Sequence, residues 1–122
     1  MVSINRACFG HVLSGVVKNM DLSQWGLIIL AAGQGKRMRS SLPKVLLPAW
    51  GKPIMQYLLD ELKWEEFGQR FLVVSPSMEE LIKSSFGQEI TIVVQKEPKG
   101  TAHAASTVFP LIQEGIDWFL IL

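Results

Sequence analysis

The chain has 122 residues, of which 48% are hydrophobic and 19% charged, with Lys+Arg at 12 against Asp+Glu at 11. That length makes one domain or part of one, and the composition excludes a disordered or collagen-like chain. The formal net charge of +1 provides no global field for nucleic acid or an anionic membrane, so any anion site must be local.

The single cysteine, Cys8, makes neither an internal disulfide nor a zinc cluster, which fits a reducing compartment. No run approaches the ~18 consecutive apolar residues that a spanning helix needs. In the first twenty residues, Arg6 and the stretch Val12 to Val17 imitate a secretory leader. Ser14 and Gly15 break the apolar stretch, and no small-x-small cleavage site follows it cleanly. Residues 1–24 are read as an N-terminal extension of unknown role.

Gly26 to Ala31 is a continuous apolar run, as expected for a strand covered on both faces. A glycine-rich basic loop follows, Gly33-Gln34-Gly35-Lys36-Arg37. Pro43, Pro48 and Pro53 then predict a loop over 40–53, with Pro53 placed for the first turn of a helix. Ile54, Leu58, Leu62 and Trp64 predict the apolar face of that helix, which Gly68 stops. Phe71 to Val74 reads as a second buried strand. Ser75-Pro76-Ser77 then caps a helix that runs from Glu79 to about Phe86. Ile90 to Val94 is a third strand, and Gln95 to Gly100 a polar loop. Thr101 is placed to cap a helix through Ala104, Ala105 and Val108, and Trp118 to Leu122 is a fourth strand.

This alternation predicts a parallel α/β sheet of the doubly wound kind, with ligands at the carboxyl ends of its strands. The two most polar loops, Gly33 to Arg39 and Gln95 to Thr101, both follow strands and belong on that edge. In the first loop, Gly33 and Gly35 allow close approach to backbone N–H groups, which can form a nest for phosphate. Arg37 can fork onto phosphate oxygens, and Lys36 and Arg39 add charge. Met38 stands where a dinucleotide fingerprint needs its third glycine, and the P-loop spacing is absent. On its own residues, the loop is equally a tight, solvated basic turn. Lys44, stiffened by Pro43, is either a point charge for phosphate or an ordinary surface lysine.

In the second loop, the Gln95 amide can read a base edge through a donor and an acceptor. Gly100 permits close approach, and Thr101 offers a hydroxyl and an N–H. A plain strand–helix turn explains the same spacing. His103 has no Ser or Cys partner for a triad, and a lone histidine reads as structural. The tryptophans read as core.

Two separated segments resemble a known family. Leu30-Ala31-Ala32-Gly33-Gln34-Gly35-Lys36-Arg37-Met38, then Pro43-Lys44-Val45-Leu46 and Gly51-Lys52-Pro53, resemble the signature of sugar-phosphate nucleotidyltransferases. Gln95 followed by Gly100-Thr101-Ala102-His103-Ala104 is similar to the uracil-reading segment of the bacterial N-acetylglucosamine-1-phosphate uridyltransferases.

The resemblance implies a Rossmann-like doubly wound, mostly parallel sheet of the nucleotidyltransferase (GT-A-like) type. Residues 25–122 would be the N-terminal half of that domain, truncated at Leu122. It implies attack of the oxygen of N-acetylglucosamine 1-phosphate on the α-phosphorus of UTP, with pyrophosphate leaving. Leu30, Ala31, Ala32, Gly33 and Gly35 would bind the nucleotide through the backbone. Arg37 and Lys44 would act on the phosphates, and Gln95, Gly100 and Thr101 would hold the uracil. Mg2+ would be the cofactor, with its expected aspartate beyond Leu122, so the isolated chain is expected to be incompetent. The setting would be cytoplasmic.

Lys36 stands where the family usually has Thr, and Lys99 where it usually has Leu. A cytidylyltransferase of isoprenoid synthesis, a non-catalytic nucleotide-binding module and a purely structural fragment are the other readings. Oligomeric state is not legible.

Overall fold

The computed structural model describes residues 21–33, 42–86 and 89–122. Four apolar runs form strands: β1 (Trp25–Leu30), β4 (Gln69–Val74), β5 (Thr91–Val94) and β6 (Trp118–Ile121). They make one all-parallel sheet in the order β5-β4-β1-β6. Side chains alternate between its faces. Leu27 and Ile29 of β1, with Leu72 and Val74 of β4, enter one buried cluster; Ile28, Phe71 and Val73 enter another. Each fully buried aliphatic side chain contributes about 1.5–3 kcal/mol of transfer free energy. Strands this apolar on both faces are stable only when both faces are covered.

The helices provide that cover. On one face lie α1 (Ile54–Leu62), through Met55, Leu59 and Leu62, and α2 (Glu79–Phe86), through Ile82 and Phe86. On the other face lies α3 (Thr101–Ser106), through Ala104, with Val108 just beyond it. The arrangement is the doubly wound parallel sheet expected from the sequence. Leu22, on a 3-10 turn just before β1, also enters the first cluster.

Several expectations need correction. The buried stripe of α1 is Met55, Leu59 and Leu62, while Ile54 is exposed and Leu58 only half-buried. Ile54 is the first helical residue, directly after Pro53, and its position on the first turn faces away from the sheet. The 40–53 region is more ordered than a loop. Lys44–Leu46 is a 3-10 turn, and β2 (Pro48–Ala49) pairs with β3 (Lys52–Pro53) in a small antiparallel hairpin. Its tip, Trp50 and Gly51, has φ of 50° and 91°, the paired positive values that match the twist of the flanking strands.

Gly100, not Thr101, caps α3; Thr101 is its first residue, and the helix ends at Ser106 rather than near Val108. Among the described tryptophans only Trp64 is core. Trp118 is largely exposed and stacks on Trp25 with ring centroids 6.0 Å apart, and Trp50 is wholly exposed.

Candidate functional site

Connections from β1 lead to β4 and then β5 on one side, and the chain returns through α3 to place β6 on the other side of β1. The winding therefore reverses between β1 and β6. In such sheets the carboxyl ends beside the reversal form a ligand crevice.

The sheet ladder runs a little past the strand ends at this rim. Leu30 N–H donates to Leu122 O at 2.8 Å, and Ala31 N–H donates to Val73 O at 2.7 Å. Those two N–H groups are therefore engaged within the sheet. Among the described residues no acceptor is found for the N–H groups of Ala32 and Gly33, and Gly33 is exposed. Ala32 and Gly33 are thus the available backbone donors of the described part of the first turn. Gly35 and Arg37, with the rest of 34–41, lie outside the described residues.

On the other side of β4, Gln95 N–H donates to Val74 O at 2.8 Å, which fixes its backbone at the same rim. Its side chain is buried with only 6% exposure. The amide nitrogen Nε2 lies 3.3 Å from the Gly100 carbonyl oxygen and 2.9 Å from His103 Nδ1. A carbonyl only accepts, so the group facing it is the NH2, and both amide hydrogens have internal acceptors. From the sequence, Gln95 offers a donor and an acceptor to a base edge; here the donor side already has partners within the chain. Among the described residues the amide oxygen has no partner, and no fully enclosed side-chain polar atom is left unsatisfied, so this oxygen is not completely enclosed.

Gly100 makes the geometry possible. Its φ of 96° and ψ of 179° lie in a region open essentially to glycine alone, and this turns its carbonyl toward Gln95. Thr101 is exposed at the start of α3.

Lys44 is exposed on the 3-10 turn that follows Pro43. Leu46, two residues on, is buried in the same cluster as Ala31, so the core anchors the turn that carries Lys44. The structure thus brings Gln95, Gly100 and His103 into contact and holds Ala31 to Gly33 one strand away. Two residues at this rim were not among those assigned to the site from the sequence. His103 was set aside as a lone histidine, and only its contact with Gln95 gives it a role. Ser75, at the carboxyl end of β4 between the two turns, is buried with its Oγ 3.1 Å from Ser77 Oγ; its residue type carries no signal.

A groove of about 660 Å³ opens elsewhere, at the amino-terminal ends of β4 and β5, lined by Gln69, Arg70, Lys83, Glu89 and neighbours. None of the candidate residues lines it. Among the described residues no group of three or more His, Cys, Asp or Glu is placed to hold a metal ion, and no helix is long and apolar enough to cross a membrane.

The reversed parallel sheet with polar turns at its carboxyl rim defines a doubly wound α/β domain. The chain belongs to the MobA-like NTP transferase domain family, which matches residues 27–122, and its class is nucleotidyltransferase. It is 44% identical over 96 residues to the bifunctional protein GlmU of Thermodesulfovibrio yellowstonii, covering 79% of this chain and 21% of that protein. It is 38% identical over 93 residues to the bifunctional protein GlmU of Brevibacillus brevis, covering 76% of this chain and 20% of that protein. The chain spans about a fifth of the length of these curated relatives. The solved inositol-1-phosphate CTP transferase of T. maritima superposes with a TM-score of 0.64 at 25% identity, covering 78% of this chain and 42% of that one.

Proposed function

We propose that the carboxyl rim holds a uridine nucleotide, with the base at Gln95, Gly100 and Thr101 and the phosphates at the first turn. Ala32 and Gly33 supply backbone N–H groups, Leu30, Ala31 and Gly35 shape the turn, and Arg37 and Lys44 neutralise phosphate charge. The reaction is attack of the phosphate oxygen of N-acetylglucosamine 1-phosphate on the α-phosphorus of UTP, with pyrophosphate as leaving group. In such a transfer the protein's work is positioning and charge stabilisation rather than covalent catalysis. Nucleoside triphosphates and sugar phosphates of this kind belong to the cytoplasm, where we place the protein.

The observation that carries the reading is the Gln95 amide, buried at the rim with both amide hydrogens engaged inside the chain and, among the described residues, no partner on its oxygen. An acceptor there suits the N3–H of uracil. Mg2+ is the cation expected with a nucleoside triphosphate; among the described residues no group of three or more His, Cys, Asp or Glu is placed to hold it.

Calorimetric titration of the chain with UTP and CTP tests the proposal. Saturable UTP binding with weaker CTP binding is expected. A flat titration with both overturns it. Tighter CTP binding transfers the reading to a cytidylyltransferase, which the structural likeness to a CTP transferase favours.

A further inference from the structure

We propose that His103 is a positioning residue that selects uridine over cytidine nucleotides by holding the Gln95 amide with its oxygen outward. The inference rests on the placement of the base at Gln95 proposed above. A glutamine amide has two orientations of nearly equal shape, one presenting NH2 and one presenting oxygen. Uracil shows a donor at N3, whereas cytosine shows a lone pair at the same position. An amide free to turn over would greet either base. A fixed amide oxygen accepts from uracil N3–H and opposes the cytosine lone pair.

Two groups fix it here. The Gly100 carbonyl, 3.3 Å from Nε2, only accepts and so calls for NH2 on its side. His103 Nδ1, at 2.9 Å, takes the second amide hydrogen. Nδ1 must then be the unprotonated nitrogen, and the ring carries its proton on Nε2. The His103 contact is the shorter of the two. Residue His103 is half-buried on α3, followed in the chain by the buried Ala104 and Ala105, and the Ala104 N–H closes the first turn onto the Gly100 carbonyl at 3.0 Å. Helix α3, the cap and the base-reading amide are therefore one connected unit. The Gly100 carbonyl, which can only accept, sets the orientation of the amide, and the His103 ring takes the tautomer that holds the amide there.

The test uses the 122-residue chain as wild type, His103→Leu and His103→Asn, the last because its Oδ1 stands where Nδ1 does. UTP and CTP affinities are measured by calorimetry, and the His103 ring nitrogens are observed by 15N NMR without nucleotide. The wild type should show the Nε2–H tautomer and prefer UTP. His103→Leu should lower the UTP-to-CTP affinity ratio about tenfold, the effect of one lost hydrogen bond, and His103→Asn should restore most of it. A His103→Leu chain that keeps the ratio, or loses both affinities in proportion, overturns the proposal and leaves His103 structural. If that variant does not fold, the Asn variant and the wild-type spectrum decide. A proton on Nδ1, or an Asn variant without selectivity, overturns the lock whatever the wild-type preference. A wild type with the Nε2–H tautomer intact that binds UTP and CTP equally, or neither, also overturns the selection, and it traces the failure to the placement of the base.

Discussion

Ala31 and Gln95 hydrogen-bond to consecutive carbonyls of one strand from opposite sides: Ala31 N–H reaches Val73 O at 2.7 Å, and Gln95 N–H reaches Val74 O at 2.8 Å. Parallel strands lie about 4.8 Å apart, so the two turns begin about 10 Å from one another across β4. That separation suits a molecule with two different ends. An amide oxygen without a partner among the described residues stands at one turn, and backbone N–H groups without partners among the described residues stand at the other. The proposed nucleotide spans them, base to phosphate.

The phosphate end leads to a first prediction. Replacing Arg37 or Lys44 with Ala removes a cation proposed to pair with phosphate. Hydrogen bonds to charged groups contribute about 1.5–3 kcal/mol, so the Kd for UTP should rise about tenfold or more in either variant. The loss should shrink as salt screens the wild-type interaction. Calorimetry at low and high ionic strength measures both effects. Unchanged UTP affinity in a variant removes that residue from the site.

Much of the sheet was legible because strand-length apolar runs flanked by Gly, Pro and Ser have one stable use, a strand covered on both faces. Strand direction followed from the helices between them. The hairpin was not legible, because its tip uses Trp50 at positive φ, where asparagine or glycine is the usual signal. The stripe of α1 was displaced by one position because the apolar spacing of Ile54, Leu58 and Leu62 competes with that of Met55, Leu59 and Leu62. Only packing on the sheet decides between them. The partnership of Gln95 with His103 joins residues eight apart. It depends on the Gly100 turn folding the chain back, and no periodicity reports such a turn.

Gly100 offers a second prediction. A Cβ built there meets nothing within 4 Å, so any cost of Gly100→Ala comes from its φ of 96° alone. Holding an L-residue in that region costs about 1–3 kcal/mol. The variant should unfold at lower urea concentration, and UTP affinity should fall with it as the carbonyl leaves Gln95. Gly33→Ala is the control, since Gly33 also stands in open space and its φ is not positive. Its urea midpoint should shift far less. Equal midpoints for the two variants would show that the Gly100 backbone carries no strain.

Gly68 makes the third. A Cβ there would stand 1.9 Å from the Ser23 carbonyl oxygen and 3.0 Å from Ile116 Cδ1. The obstacle is backbone, and that backbone is tied down: Gly68 N–H lies 3.1 Å from Leu22 O and 3.0 Å from Trp25 O. Neither side can yield without breaking the entry to β1. Gly68→Ala should destabilise the chain by at least about 1–3 kcal/mol, the usual range for overpacking. Chemical denaturation measures it, and a variant within 0.5 kcal/mol of wild type, about the scatter of surface substitutions, contradicts the packing described here.

The last concerns pH and the hairpin. Lys52 Nζ lies 2.5 Å from Asp60 Oδ2 and 4.3 Å from the centre of the Tyr57 ring, and Gln56 Nε2 donates to Asp60 Oδ1 at 2.8 Å. The hydrogen bond from Lys52, then that from Gln56, holds the Asp60 carboxyl below its ordinary range. The bond to Asp60 raises Lys52 above its own. A lowered carboxylate stabilises the fold above its unfolded value and loses that contribution as pH falls through its folded value. A raised lysine stabilises below its unfolded value and loses it as pH rises through its folded value. The pair therefore contributes across the neutral range and fades at both extremes. Both groups are exposed, so the contribution is small and weakened by salt. Asp60→Asn should lower Tm slightly at neutral pH and low salt. The gap to wild type should close in acid, where wild-type Asp60 is itself neutral, and again in strong base, where Lys52 loses its charge. Melting curves across pH at fixed ionic strength test this. A gap constant from acid to base would assign the effect of the substitution to packing on Tyr57 and Gln56 rather than to charge.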